Sequence, residues 1–412
     1  MTHVAVIGAG ITGVTTAYSL VQAGFEVSVL DRHRYPAMET SFANGGQLSA
    51  SHTEVWNSME TLKKAFSWMR TKEAPLLFNP RFSWHKYSWL AEFMYQIRHH
   101  RVNSVACTRL AIEARRHLFA MATAEGIDFD LEQRGILHLY HDRVSFEQAS
   151  HATQLLKEGG LERSPVTNEE IHQLEPSLRG RYFGGFYTPS DSTGDIHKFT
   201  RGLARACARK GVAFIQDAVV QYIKTHSSGV EVQWKNGCGK DGLQPIASLH
   251  CDAVVVCAGV GSRHLANMLG DRINVYPVKG YSVTVDLSDA DSVANAPWVS
   301  LLDEQAKIVT SRLGENRLRV AGTAEFSGEN WDIRADRIRP LVQWVRDNLQ
   351  VETEKVTPWA GLRPMTPSML PVVARGKRPR VYYNTGHGHL GWTLSGATAA
   401  MVTSLVHNDL PS

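Results

Sequence analysis

Two hydrophobic periods alternate along the chain. Residues 4–7 form an unbroken apolar run, as a strand buried on both faces would. From Ile11 the apolar positions recur at helical spacing as far as Gly24. A second apolar run at 27–30 reads as a strand and ends at Asp31. Leu110, Ala114, Leu118 and Met121 predict a long helix over 104–126, followed by a strand at 135–140. Helices are predicted at 146–158 and after Thr167, where Glu169 and Glu170 acidify the first turn and Pro176 lies beyond the end. Turn formers at 186–196 lead into a helix at 197–210, which Gly211 stops. Strands follow at 212–215, 219–222 and 253–256. Alternation at 273–285, 308–311 and 317–322 predicts antiparallel strands, and surface and terminal helices are predicted at 340–349 and 393–406.

Between the first strand and helix, Gly8, Gly10 and Gly13 stand in G-x-G-x-x-G spacing. Gly8 permits a tight turn, Gly10 lets a pyrophosphate approach the backbone, and Gly13 lets the helix pack closely on the sheet. The helix N-terminus offers N–H groups to the pyrophosphate, and Asp31 is placed to accept from ribose hydroxyls. Strand, glycines, helix, second strand and acid in this order predict a Rossmann-like dinucleotide domain. The acid makes NADP the least suited dinucleotide and leaves NAD and FAD open. The apolar strand 253–256 ends in small residues, Ala258 and Gly259, that can bring backbone beside the cofactor. The domain is therefore expected to be discontinuous: 1–54, 190–272 and 356–412, with 55–189 and 273–355 forming a mixed α+β substrate domain on a largely antiparallel sheet.

Composition narrows the class. The 412 residues suffice for two cores, and 44 Lys+Arg against 40 Asp+Glu leave a net charge of only +4, no footprint for nucleic acid. Cys107, Cys207, Cys238, Cys251 and Cys257 form no C-x-x-C pair, which fits a reducing cytoplasm better than a disulfide or zinc framework. The first core strand leaves no room for a cleavable leader, and no apolar run is long enough to span a bilayer.

Two further stretches carry candidate chemistry. Residues 39–49, with Thr40, Ser41, Asn44, Gly45, Gly46, Gln47 and Leu48, are either a segment whose backbone lies against a flat ligand or a polar surface loop. Near the C-terminus, Gly361 and Arg363 precede a run with Gly386, Gly388, His389, Leu390, Gly391 and Trp392 that opens the terminal helix. This arrangement aims a helix N-terminus at a closely approached ligand. The pair His387 and His389 lacks a carboxylate or cysteine partner nearby in sequence, so no metal is expected. Between 55 and 100, Trp56, Trp68, Trp84 and Trp89 are interspersed with Lys63, Lys64, Arg70, Arg81 and Lys86. They read either as a peripheral membrane contact or as packing around the ligand.

Together, VAVIGAGITGVTTAYSL with Asp31, ETSFANGGQLS, PVKGYSVT, GLRPMTP and NTGHGHLGWT resemble the FAD-dependent D-amino acid dehydrogenases, within the D-amino acid oxidase and glycine oxidase superfamily. The resemblance covers essentially the whole chain. It implies FAD along the nucleotide domain, with its ring at the domain interface under the substrate domain. It places Gly8, Gly10 and Gly13 at the pyrophosphate, Asp31 at the ribose, residues 40–48 at the ring, and Gly388, His389, Leu390, Gly391 and Trp392 at the pyrimidine end. Arg32, Val219, Gly361 and Thr393 complete the cofactor candidates. Arg363 matches the arginine that takes the substrate carboxylate, and Tyr281 a pocket tyrosine. With no cysteine in the C-terminal cluster, FAD is expected to be non-covalent.

The activity so implied is hydride transfer from Cα of a small or cyclic D-amino acid, of the D-alanine, D-proline or hydroxy-D-proline type, to flavin N5. It would give an imino acid and pass electrons to a quinone or carrier. A bidentate guanidinium fixes a carboxylate plane better than a lysine. Deprotonating the amine is enough to prepare the hydride donor, so no histidine is assigned a role. Two alternatives stand beside this activity: a glycine or sarcosine oxidase using oxygen, and a non-catalytic dinucleotide-binding protein.

Overall fold

The N-terminal apolar run becomes the interior of a six-stranded sheet. Its order is Val372–Arg375, Val381–Thr385, Ala253–Val256, His3–Ile7, Glu26–Leu30 and Ala213–Ile215, parallel except for the first strand. Successive side chains point to opposite faces. Val4 and Val6 therefore meet helices Ile11–Gln22, Ile196–Arg209 and Gly391–Asp409, while Ala5 and Ile7 meet a small antiparallel sheet, Ala218–Thr225, Val230–Asn236 and Ala247–Cys251. Both faces are covered, which is why the run is apolar throughout. This computed structural model describes residues 1–68, 75–237 and 245–410, with backbone alone at 64–68. Arg70 and Cys238, and the side chains of Lys64 and Trp68, lie outside the described residues. The other four cysteines are buried free thiols.

The second layer is a nine-stranded sheet, mostly antiparallel. It runs Val356–Met365, Tyr276–Asp286, Arg317–Phe326, Ile308–Arg312, Ser300–Asp303, Ile136–Tyr140, Gly184–Thr188 and Ser164–Val166, with Leu76–Phe78 added beside Arg317–Phe326. Helix Ala335–Asn348 covers one face, packing Leu341, Trp344 and Val345 on Tyr281, Val283 and Val285. The fold class is thus the expected one, a Rossmann-like layer joined to a largely antiparallel α+β layer.

Some elements differ from the sequence reading. Residues 356–365, grouped there with the nucleotide domain, are an edge strand of the second sheet, so Arg363 is delivered by the substrate layer. The long helix begins at His100 and sends Leu118, Met121 and Ala122 into the nucleotide-domain core. It crosses the terminal helix so tightly that a Cβ on Gly396 would lie 2.7 Å from the Ala114 carbonyl oxygen. The helix read from Pro340 starts at Ala335 and carries Pro340 inside it, because proline's preference for a first turn points to too late a start.

Candidate active site

A cavity of about 1230 Å³ runs from the glycine turn to the inner face of the second sheet. It exceeds the roughly 300–1,000 Å³ that holds a drug-sized molecule, leaving room for a dinucleotide and a substrate.

At its nucleotide end the glycines act differently. Gly8 has φ +107°, and a Cβ there would fall 2.6 Å from the Cys257 carbonyl oxygen. A Cβ on Gly13 would fall 1.8 Å from the Gly8 oxygen, so this glycine lets helix Ile11–Gln22 sit on the turn. At Gly10 a Cβ would meet only Ser41 Oγ, at 3.4 Å, with otherwise open space. Gly10 is also the helix N-cap and has no side chain with which to cap it, and the first helical N–H, of Ile11, is taken by Ser41 Oγ. Asp31 accepts from the backbone N–H groups of Ala9 and His33, so it braces the glycine turn while lining the cavity. Burial raises its pKa against those two bonds. Arg32 pairs with Glu39.

The 40–48 segment is pinned from the substrate side. Ser282 Oγ donates to Ala43 O (2.8 Å), Ser311 Oγ to Gly45 O (2.7 Å) and Arg319 to Asn44 O (2.9 Å). Gln47 Nε2 donates to Ser300 Oγ at 2.8 Å, and Thr40 Oγ1 to Leu362 O at 2.9 Å. Ser41 Oγ accepts from Ile11 N–H. These bonds fix the segment between the layers, with Thr40, Ser41, Asn44, Gly45 and Gln47 on the cavity wall. Val219, Ala258, Gly259 and Gly361 line the cavity as well, as do Gly388, His389, Leu390, Gly391, Trp392 and Thr393. Gly13, Gly46 and Leu48 stand behind the wall: Gly46 takes φ +75° against Ser311 and Leu313, and Leu48 lies in the nucleotide-domain core.

Two buried polar atoms on this wall, Trp392 Nε1 and Asn384 Oδ1, have no protein partner. With the helix N-terminus and the open approach at Gly10, they make the lining fit a dinucleotide carrying a polar ring system.

At the other end stands Arg363. Its guanidinium lies over Gly280, where a Cβ would come 2.4 Å from Cζ, and Nη1 donates to Thr323 O at 2.9 Å. Burial lowers its pKa to about 10 and no acid offsets the effect. Among the described residues no carboxylate is paired with it. Around it, burial pushes His52 down to about 4 and His389 well below its usual value, helped by the Arg363 charge, so both are neutral. His389 stacks on Trp56 with ring centroids 4.8 Å apart, and His52 lies 5.2 Å from His389. His387 instead turns inward to Thr398 Oγ1, 2.9 Å away, so the two histidines of the H-x-H pair serve different surroundings.

Tyr281 is among the residues lining the cavity, as expected, but its hydroxyl departs from expectation. Its hydroxyl donates to Glu325 at 2.7 Å, on the face packed under helix Ala335–Asn348, whereas Arg363 lies with Gly280 on the opposite face. Strand alternation separates neighbours in this way, and the hydroxyl does not join Arg363. Tyr281→Phe is therefore expected to destabilise the fold by about 1–3 kcal/mol through the hydrogen bond lost to the buried Glu325 carboxylate, which keeps its pairing with Lys279, while changing substrate KM less than about twofold. Thermal melting and steady-state kinetics check this, and a large rise in KM would contradict it.

The aromatics at 55–100 divide. Trp56 faces the cavity and Trp89 is buried, its Nε1 bonded to Met365 O. Lys86 is buried against the carbonyls of Asn79 and Arg81 rather than offered to solvent. Phe82 and Trp84 are 74% and 76% exposed.

The sequence reading missed Ser51, His138, Glu304 and Lys307 as a group, although all but His138 line the cavity. No motif marks them, because a pairing of distant strands brings His138 to Glu304 and the separate 50–52 turn sets Ser51 beside the imidazole.

Residues 3–405 match the family described as "DAO: FAD dependent oxidoreductase". The chain is 57% identical to D-amino acid dehydrogenase 3 of Mesorhizobium japonicum over 412 residues, covering 100% of this chain and 98% of the relative. It is 39% identical to a D-amino acid dehydrogenase of Dechloromonas aromatica, covering 99% and 98%. Among solved structures, glycine oxidase from Bacillus cereus superposes with a TM-score of 0.73 at 20% identity, covering 99% of this chain and 95% of that one. L-proline dehydrogenase from P. horikoshii gives 0.74 at 15% identity, covering 99% and 93%. At such identities the structures testify to the fold alone.

Proposed function

Since the chain belongs to the DAO family of FAD-dependent oxidoreductases, we propose that it is a D-amino acid dehydrogenase. It oxidises a small or cyclic D-amino acid to the imino acid, which hydrolyses in water, and passes the electrons to a quinone or another carrier. The observation that carries this reading is Arg363, a cavity-lining cation with no acidic partner among the described residues, which demands an anionic ligand. A carboxylate held in two parallel hydrogen bonds satisfies it and fixes the orientation of Cα. The D preference is supported by the names of the close relatives.

Gly10 and the first turn of helix Ile11–Gln22 would hold the pyrophosphate of FAD and Asp31 its ribose. Residues 40–47 and 388–393 would hold its ring, without a covalent bond. FAD, when bound, supplies the hydride acceptor. The chain's own part is to clamp the carboxylate at Arg363, exclude water with Trp56 and His389, and hold neutral imidazoles beside the guanidinium so that no second cation competes for the substrate.

Dye-linked turnover with D- and L-alanine, D- and L-proline, glycine and sarcosine tests the reading. Turnover of D forms that is faster with a quinone analogue than with oxygen supports it. Oxygen-linked oxidation of glycine or sarcosine alone would replace it with the amine oxidase reading.

No helix among the described residues is long and apolar enough to cross a membrane. We assign peripheral membrane contact to the exposed aromatics Phe82, Trp84 and Tyr95, next to the exposed Arg81 and Arg98, a composition suited to an anionic interface. The double variant Phe82→Ser, Trp84→Ser should bind anionic vesicles at least about tenfold more weakly in a sedimentation assay. Unchanged sedimentation would contradict the assignment.

A further inference from the structure

A line of hydrogen bonds leads from the cavity wall to its charged rim. Ser49 Oγ and Ser51 Oγ are 3.1 Å apart, and Ser51 Oγ lies 2.9 Å from His138 Nε2. On the far side of the ring, His138 Nδ1 lies 3.0 Å from Glu304 Oε1, and the other carboxylate oxygen pairs with Lys307, which is part-exposed. The register of the two strands builds this line: His138 pairs with Leu302 in parallel, and the chain beyond Leu302 carries Glu304 over the imidazole. Asp191 accepts the backbone N–H groups of Ala50 and Ser51, each at 3.0 Å, faces the Ser51 hydroxyl as a second acceptor beside His138, and is itself paired with Arg115, so the serine is held in place.

The protonation pattern follows from the chemistry of the groups. Burial would raise the Glu304 pKa, but the Lys307 charge and the His138 bond override it and keep the carboxylate ionised. An ionised carboxylate only accepts, so His138 Nδ1 carries the proton. Burial lowers the His138 pKa and leaves Nε2 as a bare lone pair, which accepts the Ser51 hydroxyl. The oxygen of Ser51 is thereby made a proton acceptor toward the cavity. This is the serine, imidazole, carboxylate logic used here without any bond to the serine. Ser51, His52, His389 and Arg363 line the same cavity and the His52 ring lies 5.2 Å from that of His389, so the 51–52 turn shares the cavity wall with the carboxylate pocket, and the substrate amino group is one carbon away from that carboxylate.

We propose that Ser51, His138 and Glu304 form the proton acceptor of the site, taking up the proton that the substrate ammonium must lose before its Cα–H can leave as hydride. The inference rests on the amino acid dehydrogenase reading. One ammonium N–H breaks and one O–H forms on Ser51, whose own proton passes to His138 Nε2, giving an imidazolium beside Glu304. The neutral amine is then prepared to release hydride from Cα and become the iminium; FAD, when bound, would supply the two-electron acceptor. The groups that face His138 besides Glu304 are Arg163, Asp191 and the neutral His52. Those that face Glu304 are Lys307, His52 and the Tyr140 hydroxyl at 3.4 Å.

The test is the pH dependence of anaerobic flavin reduction by a D-amino acid in the wild-type holoenzyme, Ser51→Ala and Glu304→Gln. Flavin content and melting temperature are measured on each as a check of folding. Glutamine keeps an oxygen for His138 Nδ1–H but removes the charge that stabilises the imidazolium, and alanine cuts the line at the cavity. Both variants should reduce about 10²-fold more slowly at pH 7, with the deficit closing to within about twofold at high pH, where solution itself deprotonates the amine. A purely structural role would lower the rate equally at every pH, and parallel profiles would overturn the relay alone. A wild-type flavin that no D-amino acid reduces would overturn the dehydrogenase reading and the relay with it.

Discussion

Arg363→Ala is expected to lower kcat/KM for the amino acid substrate by about 10²–10³-fold, the equivalent of about 3–4 kcal/mol for one partner of a buried, hydrogen-bonded charge pair. The loss should fall largely on KM, because the guanidinium holds a carboxylate that does not change charge during the reaction. Arg363→Lys keeps the charge but not the planar fork that fills the space over Gly280, where a Cβ would come 2.4 Å from Cζ. The lysine variant should therefore recover only part of the loss. Stability should move the other way. Burial lowers the arginine pKa to about 10, so the folded state binds this proton less readily than the unfolded chain. A lowered cation pKa opposes folding at every pH below about 10, and the penalty is relieved only as pH rises from there toward the ordinary arginine value. The apo form of Arg363→Met should thus melt no lower than wild type at neutral pH. Steady-state kinetics and calorimetry on the same preparations check both halves. Lower stability with unchanged KM would mean that the arginine is a structural group.

The second large effect separates two glycines of one motif. At Gly13 an added methyl would sit 1.8 Å from the Gly8 oxygen, a backbone atom that cannot move without opening the turn. Gly13→Ala should cost about 1–3 kcal/mol or more, visible as a lower melting temperature and poor flavin loading. At Gly10 the methyl meets only a serine hydroxyl at 3.4 Å and otherwise projects into the cavity. Gly10→Ala should melt like wild-type apoprotein yet bind FAD at least about tenfold more weakly, because the lost approach is to the ligand rather than to the protein. The ratio of flavin to protein absorbance, with apo-protein melting, checks the pair. Equal losses of stability in both variants would contradict the division.

The nucleotide layer was legible in sequence because its signals are local. Glycines at 8, 10 and 13 act on a turn between adjacent elements, and Val4–Val6 are apolar because both faces are covered. The substrate layer was less legible because its information is non-local. Arg363 is recognisable as a residue, but only the pairing of Val356–Met365 with Tyr276–Asp286 reveals which sheet carries it. Tyr281 shows the sharper limit. Apolar neighbours occupy both faces of its strand, and the register shifts between Lys279 and Tyr281 against the next strand, so alternation alone could not tell which face meets the ligand. His138 and Glu304 are separated by 166 positions and joined only by a parallel pairing. Within 55–100, Trp56 and Trp84 look alike in sequence, yet one, in the loop between 52 and 59, stacks on His389 in the cavity and the other, on the first turn of helix Trp84–Tyr95, faces solvent.

The most direct measurement is the bleaching of the flavin absorbance of the purified protein under anaerobic conditions by D-alanine and D-proline, each set against its L form. The account predicts rapid bleaching by a D form, none by its L form, and recovery of colour that is fast with a quinone and slow with air. Bleaching by the L forms, or by sarcosine alone with immediate recovery in air, would contradict it.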